Sequence, residues 1–184
     1  LIVHVNDSAD ASLFAETNET YKKLAKQFMP GPLTVILPKK DVIPDEVTGG
    51  LRTVAVRCPS NPIARELIRR SGVPIAAPSA NLSGKPSPTC AEHVMQDMDG
   101  RIAMVIDGGE CEIGLESTVI AVSGNSANVL RPGAVTPDML RSAGIAVTVD
   151  EAVTDPAKAG NAPQSPGMKY KHYAPKAELY LVEG

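Results

Sequence analysis

The sequence contains no tryptophan and few other aromatic residues. Two Phe and four Tyr accompany 43% hydrophobic residues, so the core must be built mainly from aliphatic side chains. No apolar run reaches the roughly 18 residues that a bilayer span requires. Lys and Arg number 18 against 21 Asp and Glu, which gives a net charge of −3. The bulk positive charge that drives nonspecific nucleic-acid binding is therefore missing, and any contact with RNA must be local.

Cysteines and familiar catalytic motifs are scarce as well. Cys58, Cys90 and Cys111 are far apart and form no CxxC pair, which argues against a zinc knuckle and a disulfide framework and favours a reducing cytoplasm. GxxxxGK[ST], GxSxG, HExxH and GxGxxG have no match. The obvious hydrolase, metalloprotease and dinucleotide-binding classes are thus not indicated.

Short β-branched runs mixed with helical patterns make up most of the chain. The 15 glycines and 16 prolines predict many loops between them. Strands are predicted at residues 1–5, 33–37, 53–57, 73–77, 117–122 and 129–131. Helices are predicted at residues 17–29, 61–70, 89–98 and 137–143. This irregular mixture predicts an α/β domain with a mixed sheet, or an α+β domain.

The composition changes after residue 149. Ala, Pro, Gly, Asn and Asp then dominate up to Pro166, which is typical of a linker. We therefore predict a domain over residues 1–150, a linker over 151–176, and the first strand of a second unit over 177–184. Because the chain starts with Leu1 inside a strand pattern, we expect it to be a piece of a longer protein.

Polar residues lie at the ends of several predicted strands. Arg57 and Arg131 each close a strand, Ser79 and Asn81 follow one, and Ser117 opens one. Singly, the serines and the amide suit turns, and the arginines suit surface ion pairs. Together, at the ends of strands, two guanidiniums with hydroxyls and an amide predict a site that binds and aligns anionic ligands.

Two further features keep alternatives open. His4 lies in an alternating strand and fits either a hydrogen-bonded core histidine or a site residue. Residues 165–175, SPGMKYKHYAP, hold two lysines, two tyrosines and a histidine where a bland linker is expected. That segment is either a solubilising connector or a strap over a site.

Six motifs give the sequence a resemblance to a known family. They are PGPLT at 30–34, VAVRCP at 54–59, PSANLSGKPSPT at 78–89, ESTV at 116–119, LRPGAV at 130–135 and SPGMKYKHYAP at 165–175. In order and spacing, the chain resembles the threonylcarbamoyl-AMP synthases, whose catalytic part is the YrdC-type domain. The last motif resembles the longer subfamily, in which a linker leads to a C-terminal domain.

The resemblance implies a fold and an activity. The fold would be α/β, a twisted and largely parallel mixed sheet with helices around a large open cavity. The enzyme would combine L-threonine, bicarbonate and ATP into threonylcarbamoyl-AMP and pyrophosphate, with Mg²⁺ on the phosphates and its protein ligands undefined. Further proteins would transfer the threonylcarbamoyl group to tRNA, with at most a weak direct tRNA contact.

The resemblance also assigns residues to that site. His4, Arg57 and Ser117 would hold threonine. The residues around the nucleotide would be Thr34, Ser79, Asn81, Thr89 and Arg131. Lys169, Tyr170, His172 and Tyr173 would form a lid from the linker. No protein nucleophile is expected, because carbamate attack on a phosphate needs positioning and charge neutralisation.

Family members carry an N-terminal stretch with a Lys-x-Arg motif that this chain lacks, so we expect the chain alone to be inactive or nearly so. Two other functions stay open at this point. One is an RNA-binding module of the same fold without catalysis, which Lys85, Lys169 and Lys171 could serve. The other is a carbamoyl-adenylate-forming domain that takes carbamoyl phosphate in place of threonine.

Overall fold

The β-branched runs come together in one mixed sheet. A computed structural model describes residues 1–154. Within that range the strands are β1 Ile2–His4, β2 Leu33–Pro38, β3 Thr53–Arg57, β4 Ile75–Ala77, β5 Thr118–Ser123, β6 Ser126–Arg131 and β7 Ala146–Val149. Their order across the sheet is β4-β1-β3-β2-β5-β6-β7. The predicted α/β fold class is confirmed.

Half of the strand pairs in this sheet are parallel, whereas a largely parallel sheet was expected. The β1–β3, β2–β5 and β6–β7 pairs are parallel, while β1–β4, β2–β3 and β5–β6 are antiparallel. The physical reason is connection length, because a parallel pair needs a long crossover. Only Gly124 and Asn125 separate β5 from β6, and such a short turn permits antiparallel pairing alone.

Six α-helices and one 3₁₀ helix surround the sheet within residues 1–154. The 3₁₀ helix is Ser8–Leu13, and the α-helices are α1 Glu19–Phe28, α2 Asp45–Thr48, α3 Pro62–Ser71, α4 Ala91–Met98, α5 Pro137–Ser142 and α6 Glu151–Thr154. Local signals set their ends: Asn18 caps α1 by accepting from the Tyr21 N–H at 2.8 Å. In the same range, no helix has both the length and the apolar character of a bilayer span.

The main core lies on one face of the sheet. Because side chains alternate along a strand, Val3, Val35 and Val56 point to the same side, where they join the larger apolar cluster. Helices α1 and α5 cover that side with the fully buried Leu24 and Leu140. This face supplies most of the apolar burial that holds the sheet against its helices.

The opposite face carries a much smaller apolar cluster. Ile36, Ala55, Val119 and Leu130 are buried there. Residue Leu130 reaches this face through a bulge, since Val119 pairs with Arg131 and the next residue, Ile120, pairs with Val129. A bulge sets two residues against one and redirects a side chain. The sparse apolar cover of this face leaves room for a cavity.

We expect Leu24→Ala to lower the free energy of unfolding by about 2–5 kcal/mol, because it empties a fully buried site in the main core. Urea denaturation followed by circular dichroism measures this. Leu13→Ala is the control, because Leu13 is 69% exposed and its truncation should change the free energy by less than about 0.5 kcal/mol. Equal losses in the two variants would contradict the assigned core.

Candidate active site

A cavity of about 1000 Å³ opens over the sparsely covered face of the sheet. Its polar walls come from the ends of β1, β3 and β6 and from the loops that precede β5 and follow β4 and β6. Polar side chains that line it include those of His4, Arg57, Ser79, Ser87, Thr89, Glu116, Ser117 and Arg131. The volume lies at the upper end of the range usual for small-molecule sites.

Arg57 ends the central strand β3 and points its guanidinium into this cavity. Its Nε donates to the Gly31 carbonyl at 3.2 Å, and among residues 1–154 its two terminal nitrogens have no acceptor. Burial first, and the nearby charge of Arg131 second, lower the pKa of the Arg57 guanidinium. The group stays protonated at neutral pH, since an arginine pKa starts above 12. Arg57 therefore offers a partly desolvated, uncompensated cation.

His4 lies beside Arg57, because the two residues are register partners in the parallel β1–β3 ladder. Burial first, and the positive charge of Arg57 second, lower the pKa of His4, against backbone hydrogen bonds to Ile75 and Ile2 that raise it. The imidazole is consequently neutral at pH 7. A neutral ring beside a cation can accept a proton or a hydrogen bond from a bound ligand.

Arg131 is held in a network of fixed contacts. Its Nε donates to the Ser117 carbonyl at 3.1 Å and its Nη2 to Ser117 Oγ at 3.0 Å. Ser117 Oγ lies 2.7 Å from Thr34 Oγ1 in the buried interior. Arg131 Nη1 forms an ion pair with Glu116 Oε2 at 2.7 Å. In contrast to Arg57, this second guanidinium is neutralised by a carboxylate.

The position of Arg131 at the end of β6 depends on a close approach between the loop that follows it and the start of β5. The Thr118 hydroxyl donates to the Val135 carbonyl at 2.8 Å and accepts from the Val135 N–H at 3.1 Å. Gly133 lies where the loop after β6 meets the backbone that enters β5. A Cβ at this position would come within 2.6 Å of the Glu116 carbonyl oxygen and the Thr118 nitrogen. Only glycine permits this contact, so the PG of the LRPGAV motif is a packing requirement.

The loop 78–90 forms the wall across from β1 and β3. Ser79 and Thr89 line the cavity. Asn81 is not among the lining residues; its Nδ2 donates to the carbonyls of Leu82 and Lys85 at 2.9 and 3.0 Å, and its Oδ1 is buried without a partner among the described residues.

The structure thus brings most of the sequence-predicted residues to one cavity. His4, Arg57, Ser79, Thr89, Ser117 and Arg131 line it. Thr34 is buried behind Ser117, and Asn81 closes the turn of the loop. Lys169, Tyr170, His172 and Tyr173 lie outside the described residues. The roles assigned to these residues stay predictions.

Sequence reasoning missed Glu116, Ser87 and Gly133. Each lies within a motif that the sequence displays, ESTV, PSANLSGKPSPT or LRPGAV, so a signal existed. The motif letters do not say which of their residues contact one another, because Ser87 and Glu116 are 29 residues apart in the chain.

Comparison with known proteins identifies the family. A family model for Sua5, YciO and YrdC proteins, described as "Telomere recombination", matches residues 1–133. The chain belongs to the Sua5–YciO–YrdC family. A second model, described as "Threonylcarbamoyl-AMP synthase, C-terminal domain", matches residues 135–184. The resemblance to the two-domain subfamily is confirmed, while the boundaries at 150 and 176 stay predictions.

Two relatives that match the whole of this Sua5–YciO–YrdC chain are named threonylcarbamoyl-AMP synthase. The threonylcarbamoyl-AMP synthase of Bacillus subtilis (strain 168) is 50% identical over 186 residues, covering 100% of this chain and 53% of that protein. The one from Pyrococcus abyssi is 48% identical, covering 100% of this chain and 54% of that protein. The solved structure of P. abyssi Sua5 complexed with L-threonine matches with a TM-score of 0.91 over 97% of this chain and 52% of that one. The chain spans about half the length of these relatives.

The described part of this Sua5–YciO–YrdC chain, residues 1–154, groups no three His, Cys, Asp or Glu side chains that could hold a metal ion. Two carboxylates line its cavity, Glu46 and Glu116, and Glu116 already bonds Ser87 and Arg131. Magnesium commonly keeps several waters and binds through one or two carboxylates plus substrate phosphates. Among the described residues, the cavity lining therefore offers at most these two carboxylates as direct metal ligands.

Gly133→Ala should lower the free energy of unfolding by about 1–3 kcal/mol and displace Arg131, because the new methyl group meets backbone atoms that cannot rotate away. Thermal denaturation measures the stability. Gly108→Ala is the matched control, since its Cβ approaches only the Asn61 side chain, at 3.3 Å. A stability loss no larger than that of the control would contradict the tight approach of the two backbones.

The lowered pKa of His4 predicts a pH-dependent stability. Below pH about 6.5 the unfolded chain binds a proton at this position more readily than the folded protein does, so the free energy of unfolding falls as the pH drops from about 6.5 toward the lowered folded pKa. Urea unfolding at pH 7.5 and pH 5.5 should show a smaller decrease for His4→Gln than for the natural protein. An unchanged decrease, or an NMR titration of His4 at or above pH 6.5, would refute this.

Proposed function

We propose that the protein is an L-threonylcarbamoyladenylate synthase that uses L-threonine, bicarbonate and ATP. The observation that carries the proposal is a pair of guanidiniums on one cavity wall, of which Glu116 neutralises Arg131 while Arg57 keeps its charge. The proposed substrates bring two kinds of anion: Arg57 would bind the amino acid carboxylate, while Arg131, already paired with Glu116, presents its guanidinium near the nucleotide phosphates.

The threonine end of the site is built from Arg57, His4 and Ser117. The terminal nitrogens of Arg57 form a fork that fits a carboxylate in a bidentate arrangement. His4, whose pKa is lowered, is neutral and can accept a proton from the ligand's ammonium group, which must lose one to become a nucleophile. Ser117 Oγ, fixed by Thr34 and Arg131, adds a hydroxyl of defined direction.

The nucleotide end is built from Arg131 and the loop 78–90. Ser79 and Thr89 present hydroxyls to the cavity, and Arg131 presents its guanidinium from the end of β6. Asn81 contributes by shaping the turn of the loop, because its Nδ2 donates to the carbonyls of Leu82 and Lys85. Thr34 contributes indirectly, by orienting Ser117.

The chemistry needs alignment more than a protein nucleophile. The neutral amine of threonine attacks the carbon of bicarbonate-derived carbon dioxide, and a C–N bond forms to give the carbamate. A carbamate oxygen then attacks the α-phosphorus of ATP, and the bond to the β,γ-pyrophosphate breaks. The two guanidiniums hold the reacting anions in contact and reduce their repulsion. Magnesium bound to the phosphates would supply further charge neutralisation.

The proposal also covers the fate of the product, the location of the protein and the lid over the site. The product would pass to proteins that transfer its threonylcarbamoyl group to tRNA, with at most a weak direct tRNA contact. A cytoplasmic location agrees with three free cysteines, Cys58, Cys90 and Cys111. Residues 165–175 would supply the lid over the site, and its proposed members are Lys169, Tyr170, His172 and Tyr173. The names of relatives that match the whole chain favour threonine as the substrate over carbamoyl phosphate.

Arg57→Ala in the whole natural protein should weaken L-threonine binding roughly 10- to 150-fold, because it removes at least one charge-assisted hydrogen bond of about 1.5–3 kcal/mol. Isothermal titration calorimetry measures the dissociation constant, and threonine-dependent pyrophosphate release measures the reaction. Arg52→Ala is the matched control, because Arg52 is an exposed arginine just before the same strand.

Unchanged threonine affinity in Arg57→Ala would remove Arg57 from the site. A natural protein that binds neither threonine nor ATP, yet binds RNA with an affinity that falls steeply with salt, would replace the synthase by an RNA-binding module.

A further inference from the structure

We propose that Glu116 is a positioning residue that latches the loop 78–90 to Arg131 and so sets the affinity for the nucleotide. This inference rests on the synthase function proposed above, because it takes the nucleotide to bind between that loop and Arg131. Neither the sequence motifs nor the family comparison assigns a role to Glu116.

Each oxygen of the Glu116 carboxylate serves a different partner. Ser87 Oγ donates to Oε1 at 2.7 Å, and Arg131 Nη1 pairs with Oε2 at 2.7 Å. The carboxylate therefore bridges a loop residue and a strand residue that are far apart in the sequence. Both bonds are charge-assisted and have good length, so they are among the stronger hydrogen bonds a side chain makes.

The bridge lies in a partly desolvated place. The side chains of Arg131 and Glu116 are 17% and 26% exposed, so water screens their attraction less than it screens a surface pair. Arg131 is also tied to Ser117, which contacts the fully buried Thr34. A continuous chain of contacts thus runs from the sheet interior, through Arg131 and Glu116, to the loop.

The loop needs such a latch on its cavity side. Its other side is fixed to α4, where the Asp97 carboxylate accepts from the Leu82 N–H at 3.1 Å and pairs with Lys85. Beyond Lys85 the sequence is PSPT, and its two prolines have no N–H to donate. Ser87, between these prolines, is therefore the residue whose side chain ties this stretch to the opposite wall.

The latch acts mainly on the nucleotide end of the site. Glu116 bonds Arg131 and the loop, whereas the described contacts of Arg57 are with β-strand and Gly31 neighbours. Loss of the latch should loosen the loop and misalign Arg131. The threonine end should change less, because Arg57 keeps its contact with Gly31 and Ser117 keeps its contact with Thr34. A selective effect on the nucleotide is the mark that distinguishes a positioning residue from one that only stabilises the fold.

The test uses Glu116→Gln, Ser87→Ala and the double variant in the whole natural protein. The amide that replaces the Glu116 carboxylate can still bond Ser87 through its nitrogen and Arg131 through its oxygen, but it removes the ion pair and leaves no carboxylate acceptor, so the bridge is weakened with little change in shape. We expect each single variant to raise the KM for ATP about tenfold and the KM for threonine less than twofold, and the double variant to add little to either single one. The control is Glu112→Gln. Glu112 lies on the connection between α4 and β5 that also holds Glu116, but it is exposed and outside the cavity lining, so this variant should change neither KM.

A second readout follows the loop itself, independently of activity. Hydrogen–deuterium exchange of the peptide that covers residues 78–90 should speed up in Glu116→Gln and in Ser87→Ala, and not in Glu112→Gln. If Glu116→Gln fails to fold, Ser87→Ala still removes the latch and leaves the Glu116–Arg131 pair intact.

Unchanged exchange and unchanged KM for ATP in Ser87→Ala would overturn the latch, and so would additive effects in the double variant. Equal increases of both KM values would reduce Glu116 to a purely structural residue. A natural protein that binds no ATP, but whose loop exchange still responds to Ser87→Ala, would instead refute the synthase function and keep the latch as a structural feature.

Discussion

The site depends on keeping two guanidiniums on one wall of a partly desolvated cavity. Like charges repel more strongly as water is removed, and the charge of Arg131 is, after burial, the second cause of the lowered pKa of the Arg57 guanidinium. Within residues 1–154, Arg131 has a carboxylate partner, whereas the one described side-chain hydrogen bond of Arg57 is to a carbonyl. This asymmetry is the basis for assigning the carboxylate of the proposed substrate to Arg57, because among the described residues Arg57 has no countercharge.

The two faces of the sheet make this arrangement possible. The large apolar cluster on one face stabilises the strands, so the other face can carry polar groups without the support of a second large core. A bulge in β6 turns Arg131 toward the cavity, and Gly133 lets the following loop press against β5. The site therefore sits on the part of the sheet whose backbone is best fixed by neighbouring strands.

Local signals in the sequence predicted much of the fold. Caps and glycines marked α1 and α3, and β-branched runs marked β2 and β3, because these signals act within a few residues. The share of antiparallel pairing was not predictable in the same way, since register and direction depend on contacts between distant segments. The apolar residues 102–106 form no strand, and Met104 is 75% exposed. Periodicity alone cannot tell a buried run from an exposed one.

The residues of the candidate site show the same difference between local signals and contacts between distant segments. Arg57 and Arg131 were found because a charged residue that ends an apolar strand is conspicuous by itself. Glu116 was not, because its role depends on a contact with Ser87, which lies 29 residues away in the chain. The difference has a chemical counterpart in the proposed reaction: the residues on strands would form a rigid anchor for one ligand, while the loop that would hold the other is kept in place by a few side-chain bonds. The proposed reaction joins two bound anions without a protein nucleophile, so its rate would depend on how well both parts of the site align them.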